Sequence, residues 1–221
     1  MNLKPIRKYR RRLKKTSGLI KNNPVVALGM ALPFVIVPTL NLKSGLLISV
    51  FIFAATVPAA TLAPVAHKKI PVIYLVPCYT LLAMTGVIVA QLLFRRYAVL
   101  LDGLGLYIPL AAVNSIMMDI TALNPRKTPQ RGLRDSVAIC LGFALVACGI
   151  GAVREVLGNR TIWGVPFGLY PIKMIGVTLP FFGFIILGFL NALCRSVDRA
   201  VVNGMLSRDP VPVEREEGDC E

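Results

Sequence analysis

The stretch GLYIPLAAVNSIMMD, Gly105–Asp119, decides the fold, because it is apolar enough to lie in a membrane and yet contains a helix breaker. Pro109 has no amide proton, and its ring clashes with the preceding helical turn. We therefore expect the carbonyls near Gly105 and Leu106 to lose their helical partners. In hydrocarbon such groups need protein, water or a ligand as partners. This predicts a broken transmembrane helix whose break faces the bundle interior or a cavity.

Long uncharged runs indicate a membrane protein. Of the 221 residues, 55% are hydrophobic, and they form blocks instead of the stripes of a soluble core. A helix of about 20 apolar residues crosses a hydrocarbon layer of about 30 Å. Two of the runs are short and contain proline, so we predict six transmembrane helices, of which the first and fourth are broken. The runs are Pro24–Leu40, Gly45–Ala66, Ile70–Phe94, Gly103–Met118, Ser136–Val153 and Met174–Cys194.

Lysine and arginine are distributed unevenly between the two sides that six crossings define. With the N-terminus inside, nineteen of the 25 basic residues fall on the inner side and six on the outer side. Positive charge marks the cytoplasmic side. We expect a multi-pass protein of the plasma (inner) membrane with both termini in the cytoplasm. The formal charge of +14 then indicates contact with membrane lipids, not with nucleic acid, because no aromatic platform accompanies it.

The chain divides into two similar halves. Each half begins with a short span that contains a proline, Pro33 or Pro109, and two longer spans follow. An odd number of crossings inverts the second half relative to the first. We therefore predict an all-α membrane protein of two inverted three-helix repeats. The predicted parts are a basic cytoplasmic head at 1–23, repeats at about 24–101 and 102–195, and a disordered cytoplasmic tail at 196–221.

Polar residues follow the second break. Asn114 and Ser115 lie about one turn beyond Pro109. Together with Pro33 and Pro109 they are candidates for an ion or solute site near the middle of the membrane. The residue types alone also fit a kinked helix whose Asn and Ser hydrogen-bond a neighbouring helix. Asp119 is an acid near the cytoplasmic end of its span. It either anchors the helix at the interface or belongs to an ion path.

Four further features have simpler interpretations. Arg154 and Glu155 are predicted to form a paired helix end that extends to the membrane surface. His67 is predicted to face solvent, and 158–173 to form an outer interfacial loop. The cysteines, none of which has a CxxC neighbour, are interpreted as apolar packing residues. They are Cys78, Cys140, Cys148, Cys194 and Cys220, and the chain has no recognisable catalytic motif.

Three stretches together carry a family resemblance: KNNPVVALGMALP at Lys21–Pro33, LGLYIPLAAVNSI at Leu104–Ile116 and REVLGN at Arg154–Asn159. They resemble the RnfE/NqrD members of the Rnf/Nqr family of integral membrane subunits. The resemblance implies six spans in two inverted triplets. It also implies a multi-subunit redox pump that passes electrons between ferredoxin or NADH chemistry and membrane flavins while it moves Na⁺ or H⁺. Other integral Rnf/Nqr subunits are then the expected partners.

The resemblance also implies a cofactor that this sequence does not match. In the family, broken helices 1 and 4 of two related subunits each supply a cysteine, and the four thiolates hold an iron–sulfur cluster. Here the first position is occupied by Ala31 or Leu32, with a shift of one residue in spacing, and the second by Ser115. Ala and Leu cannot bind iron, and a serine oxygen is a poor substitute for a thiolate. We therefore expect no metal site and no cofactor.

Two functions remain open at this point. The first is a cluster-free paralogue that assembles with other Rnf/Nqr-like subunits as a structural or ion-path component of an ion-translocating electron transport complex. In that case it is at most a non-catalytic subunit of a redox-driven translocase. The alternative is a stand-alone transporter of a small ion or solute that uses the broken-helix centre. A redox-active subunit with a different ligand set is a third interpretation.

Overall fold

The computed structural model describes residues 24–123, 128–166 and 175–208. The first half of the chain forms two short helices followed by two long ones. The short helices are separated by a turn at residues 29–31, and the long ones by a connection of two residues at 70–71. These helices are α1 Pro24–Leu28, α2 Leu32–Ile36, α3 Leu42–Lys69 and α4 Val72–Leu93.

The second half repeats this order of short and long helices and adds a small hairpin. A 3₁₀ turn at Arg95–Tyr97 leads into it. Its helices are α5 Ala98–Leu104, α6 Tyr107–Leu110, α7 Ser115–Met118, α8 Pro129–Arg154 and α9 Pro180–Arg208. A 3₁₀ turn at Ala111–Val113 joins α6 to α7, and π turns at Asp119–Leu123 and Glu155–Asn159 extend α7 and α8. The antiparallel strands β1 Thr161–Ile162 and β2 Val165–Pro166 form the hairpin, and a 3₁₀ turn at Ile175–Thr178 precedes α9.

Three helices of the described residues are long and apolar enough to cross a membrane. They are α3, α4 and α8 with its π extension to Asn159. Two shorter apolar helical stretches, Tyr107–Ala122 and Pro180–Ser196, accompany them. The prediction of a helical, multi-pass membrane protein is confirmed, and the count of six crossings stays a prediction.

The helices α3 and α8 pack against each other in antiparallel directions, and glycines allow their backbones to approach closely. A Cβ atom added to Gly45 would lie 2.8 Å from the carbonyl oxygen of Ala147. One added to Gly132 would collide with the carbonyl oxygen of Ala60. Small residues are common where membrane helices meet, because helices in lipid are held together by close packing. These two helices therefore form the centre of the bundle.

The ends of the predicted parts differ from the observed helices. Helix α9 continues to Arg208, past the predicted start of the tail at residue 196. The predicted head at 1–23 and residues 209–221 of the predicted tail lie outside the described residues, as do 167–174 of the predicted outer loop. In the described part of that loop, Gly158 and Asn159 end the π turn and residues 161–166 form the hairpin β1–β2.

Candidate functional site at the meeting of two broken helices

The first break is a turn at Gly29–Ala31 that precedes Pro33. Gly29 and Ala31 both have left-handed backbone conformations, with φ of 67° and 55°. This region is open to glycine but costs a residue with a Cβ about 1–2 kcal/mol. Pro33 lies in the first turn of α2, where its missing amide breaks no helical bond. The proline therefore starts the second half-helix, and the interruption of the span lies directly before it, at residues 29–31.

The second break lies beyond Pro109, at Asn114. The carbonyls of Gly105 and Leu106, which we expected to lose their partners, accept hydrogen bonds from the amides of Ile108 and Leu110, both at 3.3 Å. The chain avoids the loss by tightening into short helical turns around the proline. Before the proline the chain turns at Gly105, with φ 44° and ψ −119°, between α5 and α6. Beyond it the chain becomes extended at Asn114, with φ −94° and ψ 150°, and this residue is the break that precedes α7.

Asn114 stabilises the second break with its own side chain. The residue is fully buried. Its Oδ1 accepts from the amide of Met117 at 2.7 Å, which caps the first turn of α7. Its Nδ2 donates to the carbonyl of Ala111 at 2.7 Å and to the hydroxyl of Thr56 in α3 at 3.4 Å. The side chain thus bridges the break and fastens it to the central helix.

The two breaks contact each other directly. The amide of Ala31 donates a hydrogen bond of 2.8 Å to Oγ of Ser115. The rings of Phe34 and Tyr107 pack edge to face next to it, with centroids 6.3 Å apart. The structure therefore brings together the two positions that the family resemblance singles out, although they lie in different halves of the chain.

The side chains of the candidate site face in two directions. Asn114 is buried in the bundle, whereas Pro33, Pro109 and Ser115 are exposed at the surface of this chain. The expectation that the break faces the interior therefore holds for Asn114 and is wrong for both prolines. Ser115 lies at the surface of the bundle, although its hydroxyl accepts from the amide of the buried Ala31.

Asp119 lies at the far end of the second broken helix. It is half-buried, ends α7 and opens the π turn. Two residues later the carbonyl of Thr121 lies 2.9 Å from Nε2 of His67, whose ring packs on Tyr79. We expected His67 to face solvent in a loop, and this expectation is wrong. His67 ties the end of α3 to the end of the second broken helix.

Arg154 is the clearest site residue that the sequence analysis missed. It is fully buried, and its guanidinium donates to five backbone carbonyls. One is that of Ile36 in the first broken span, and a second, at 3.5 Å, is that of Thr39. The others are the carbonyls of Val177, Thr178 and Leu179 before α9, at 3.1, 2.6 and 3.0 Å. A guanidinium has five N–H donors, so all of them are used.

Glu155 binds a separate set of donors. Its Oε2 accepts from the amide of Leu42 at the start of α3, at 2.9 Å. Its Oε1 accepts from the amide of Gly164 at 2.8 Å and from the hydroxyl of Thr161 at 3.1 Å. Arg154 and Glu155 are both buried, so our prediction that they pair and extend to the membrane surface is wrong. One feature of the sequence could have indicated that both residues matter: the charged pair follows an apolar run directly and lies in one of the three stretches that resemble the family.

The residues at the meeting point do not fit an iron–sulfur cluster. Iron in such clusters takes thiolate ligands. The breaks present the methyl group of Ala31, the side chain of Leu32 and a hydroxyl that already accepts from an amide. Among the described residues, no group of three or more His, Cys, Asp or Glu side chains is arranged to hold a metal ion.

The stretches that form both breaks and the buried Arg154 lie within a match to a known family. Residues 13–191 match the family model described as "Rnf-Nqr subunit, membrane protein". The chain belongs to the Rnf-Nqr family. The resemblance noted from three short stretches is therefore confirmed over most of the chain.

Curated relatives within the Rnf-Nqr family are named as the E component of ion-translocating complexes. The relative from Acetobacterium woodii belongs to a "Na(+)-translocating ferredoxin:NAD(+) oxidoreductase complex" and is 31% identical over 80% of this chain and 92% of its own length. The one from Clostridium ljungdahlii belongs to a "Proton-translocating ferredoxin:NAD(+) oxidoreductase complex" and is 28% identical over 80% and 85%. The one from Pasteurella multocida, of an "Ion-translocating oxidoreductase complex", is 28% identical over 66% of both chains.

Proposed function

We propose that this chain is an RnfE-like membrane component of an ion-translocating electron transport complex, and that it carries no iron–sulfur ligands of its own. It then acts in the complex as a structural or ion-path component. The hydrogen bond between the amide of Ala31 and Oγ of Ser115 carries the proposal. It joins the two breaks through groups that belong to the protein, at the positions where the family resemblance implies cysteines, namely Ala31 or Leu32 in the first break and Ser115 in the second.

A role without a cluster follows from the chemistry of these groups. A methyl group and a neutral hydroxyl cannot replace two thiolates around iron. The hydroxyl instead satisfies a backbone amide that the left-handed turn at Ala31 removes from any helix, which is a requirement inside lipid. The same position thus serves the stability of the break. Electrons in the complex would then pass through other subunits.

We propose six crossings in two inverted triplets, and reciprocal contacts support this arrangement. Gly45, near the start of α3, faces a carbonyl near the end of α8, and Gly132, near the start of α8, faces one near the end of α3. Two halves related by a two-fold axis in the membrane plane would produce such a pair of contacts.

A second reciprocal pair supports the same axis. Arg154, at the end of α8, binds the carbonyl of Ile36 in the broken span of the first half. His67, at the end of α3, contacts the carbonyl of Thr121 in the broken span of the second half. The excess of basic residues on one side supports cytoplasmic termini and a plasma-membrane location.

An exposed surface next to the breaks supports assembly with other membrane subunits. Leu110 and Val113 are 42% and 55% exposed, and with Ser115 they border the contact between the two broken helices. A protein neighbour would cover the exposed part of Ser115 and could supply an acceptor for its hydroxyl proton, which lipid cannot do. Asp119, at the inner end of the same broken helix, is the candidate for an ion path.

The stand-alone transporter is not favoured by the site. A solute site needs polar groups that are free to bind, whereas both polar atoms of Asn114 are already bonded to groups of this chain. The carbonyls of Gly105 and Leu106 are bonded to amides as well. The geometry instead corresponds to the kinked-helix interpretation of Asn114 and Ser115, in which they fasten the breaks.

Affinity purification from native membranes tests the proposal. The tagged chain should bring down further membrane subunits, identified by mass spectrometry. Iron and acid-labile sulfide should be the same in the wild type and in Ser115→Ala, because Ser115 holds no cluster. Purification of the chain alone would contradict membership in a complex. Iron that is present in the wild type and lost in Ser115→Ala would contradict the cluster-free role.

A further inference from the structure

Arg160 has two buried donors for which the described residues, 24–123, 128–166 and 175–208, supply no acceptor. The residue follows the π turn after α8, has a left-handed backbone with φ 57°, and leads into strand β1. The side chain is partly exposed, but its Nε and Nη2 atoms are buried and make no hydrogen bond. Buried polar groups are almost always paired, so this unpaired edge indicates a missing partner.

The chemistry of the missing partner follows from which atoms are free. Nε and Nη2 form one edge of the planar guanidinium, and their two N–H bonds point in parallel. This edge matches two oxygens of a carboxylate or a phosphate. By contrast, the guanidinium of Arg154, six residues earlier, donates its hydrogen bonds to backbone carbonyls. Arg154 therefore links parts of the backbone, whereas the free edge of Arg160 is suited to bind an oxyanion.

The nearest carboxylate in the sequence does not supply this oxyanion. Both oxygens of Glu155 already accept from other groups, namely the amides of Leu42 and Gly164 and the hydroxyl of Thr161. A second cation, Lys43 of α3, contacts the same hairpin: its Nζ is 5.7 Å from the ring centroid of Trp163. The local excess of positive charge favours an anion from outside the chain.

The hairpin has the surface expected of a segment at the lipid headgroups. Ile162, Trp163 and Val165 are 46%, 49% and 65% exposed. Apolar and aromatic side chains of this kind lie at the membrane–water interface, with tryptophan at headgroup level. An oxyanion that is concentrated at this depth is the phosphate of a phospholipid.

We propose that Arg160, assisted by Lys43, binds a phosphate oxyanion beside the hairpin β1–β2, and that a phospholipid headgroup supplies it. The Nε–Nη2 edge takes two phosphate oxygens, and the ammonium of Lys43, next to Trp163 in the same hairpin turn, adds a second positive charge. The site is separate from the two breaks and does not depend on the function proposed above.

The test uses the full chain, purified in a neutral detergent and depleted of lipid. Native mass spectrometry and thermal melting report binding of short-chain phosphatidylglycerol in one arm and of inorganic phosphate in the other. Arg160→Gln should bind the lipid about tenfold more weakly than the wild type, since it loses a charged bidentate contact. Arg160→Lys should fall between them, because an ammonium keeps the charge and loses the fork.

Arg95→Gln is the matched control, because Arg95 is an exposed arginine that the sequence places on the same side of the membrane. It should bind lipid as the wild type does. Equal lipid binding by the wild type and Arg160→Gln would overturn the proposal, as would absence of both ligands from the wild type. Phosphate binding that needs Arg160, without lipid binding, would support the oxyanion site and overturn the lipid as its source. Unchanged helix content and elution volume exclude misfolding of the variants.

Discussion

The backbone amide of Ala31 and the hydroxyl of Ser115 form a hydrogen bond of 2.8 Å across 84 residues of sequence. Both residues lie at interruptions of short helices, where backbone groups lose their helical partners. The bond therefore joins the two helix interruptions and supplies an acceptor for the backbone amide of Ala31. It is the contact from which the first two predictions follow.

Ser115→Ala removes the acceptor of the Ala31 amide. We expect the free energy of unfolding to fall by about 0.5–1.5 kcal/mol, the range for one neutral hydrogen bond, with membrane cases towards the lower end. Titration with a denaturing detergent measures the change. Ser115→Thr keeps the hydroxyl and should lose less. Equal losses in the two variants would show that the hydroxyl does not contribute.

Ala31→Cys with Ser115→Cys should form a disulfide under mild oxidation. The hydrogen bond places these residues side by side, and a disulfide needs Cβ atoms about 3.5–4.5 Å apart. The experiment uses a background in which the five native cysteines are replaced by serine. Mass spectrometry of the cross-linked peptide provides the measurement, and each single cysteine variant is a control. A pair that stays reduced would mean that the breaks do not meet.

Asn114→Leu should destabilise the chain by about 1–2 kcal/mol, because it removes an N-cap and leaves the Met117 amide without an acceptor. Membrane insertion should be unchanged, since leucine is apolar. Asn114→Ser is the matched variant, because serine is a comparable N-cap residue. It should retain most of the stability in the same detergent titration. Wild-type stability and assembly of the leucine variant would contradict a role in the break.

Arg154→Lys should destabilise far more than the changes above, by at least about 3 kcal/mol, because hydrogen bonds from a charged donor contribute more than neutral ones. Lysine has three donors and lacks the planar fork, so at least two carbonyls lose their partner. Arg131→Lys is the control: it is exposed near the other end of α8 and should leave stability within about 0.5 kcal/mol. Similar melting temperatures for the two variants would refute the importance of the buried network.

Gly132→Ala and Gly149→Ala should have opposite effects although both lie in α8. A methyl group at Gly132 collides with the carbonyl of Ala60, and nothing lies within 4 Å of one at Gly149. We expect a loss of about 1–3 kcal/mol at Gly132 from overpacking. At Gly149 we expect a gain of about 0.5–1 kcal/mol from the better helix former. The same sign at both positions would contradict the close antiparallel packing of α3 and α8.

The sequence located the interrupted stretch of the second half, but not the residue at which the helix breaks. The stretch Gly105–Asp119 does contain an interruption, but the break lies at Asn114, because the chain around Pro109 tightens into short turns that satisfy its carbonyls. In the first half the interruption lies at residues 29–31, and Pro33 is in the first turn of the half-helix that follows. Proline shows where a regular helix is disturbed. It does not show which residue absorbs the disturbance.

The pair Arg154 and Glu155 shows the limit of local patterns more sharply. At the end of an apolar run, charged residues are expected to reach the membrane surface. Arg154 donates to the carbonyl of Ile36, which lies 118 residues away in sequence. Glu155 accepts from the amide of Leu42, which lies 113 residues away. No local pattern can reveal partners at such separations.

Hydrophobicity and charge are properties of neighbouring residues, so the sequence by itself determined that this chain is a helical membrane protein. It also determined that two helices contain the interruptions seen in the family, and that the cysteines implied by the resemblance are missing there. Contacts between distant residues depend on how the helices pack. Only the tertiary structure decided that Ala31 meets Ser115, that Asn114 seals its own break, and that Arg154 is a buried link instead of a surface anchor. The physical reason is that an unpaired backbone group in lipid must find a partner, and packing alone determines which one is within reach.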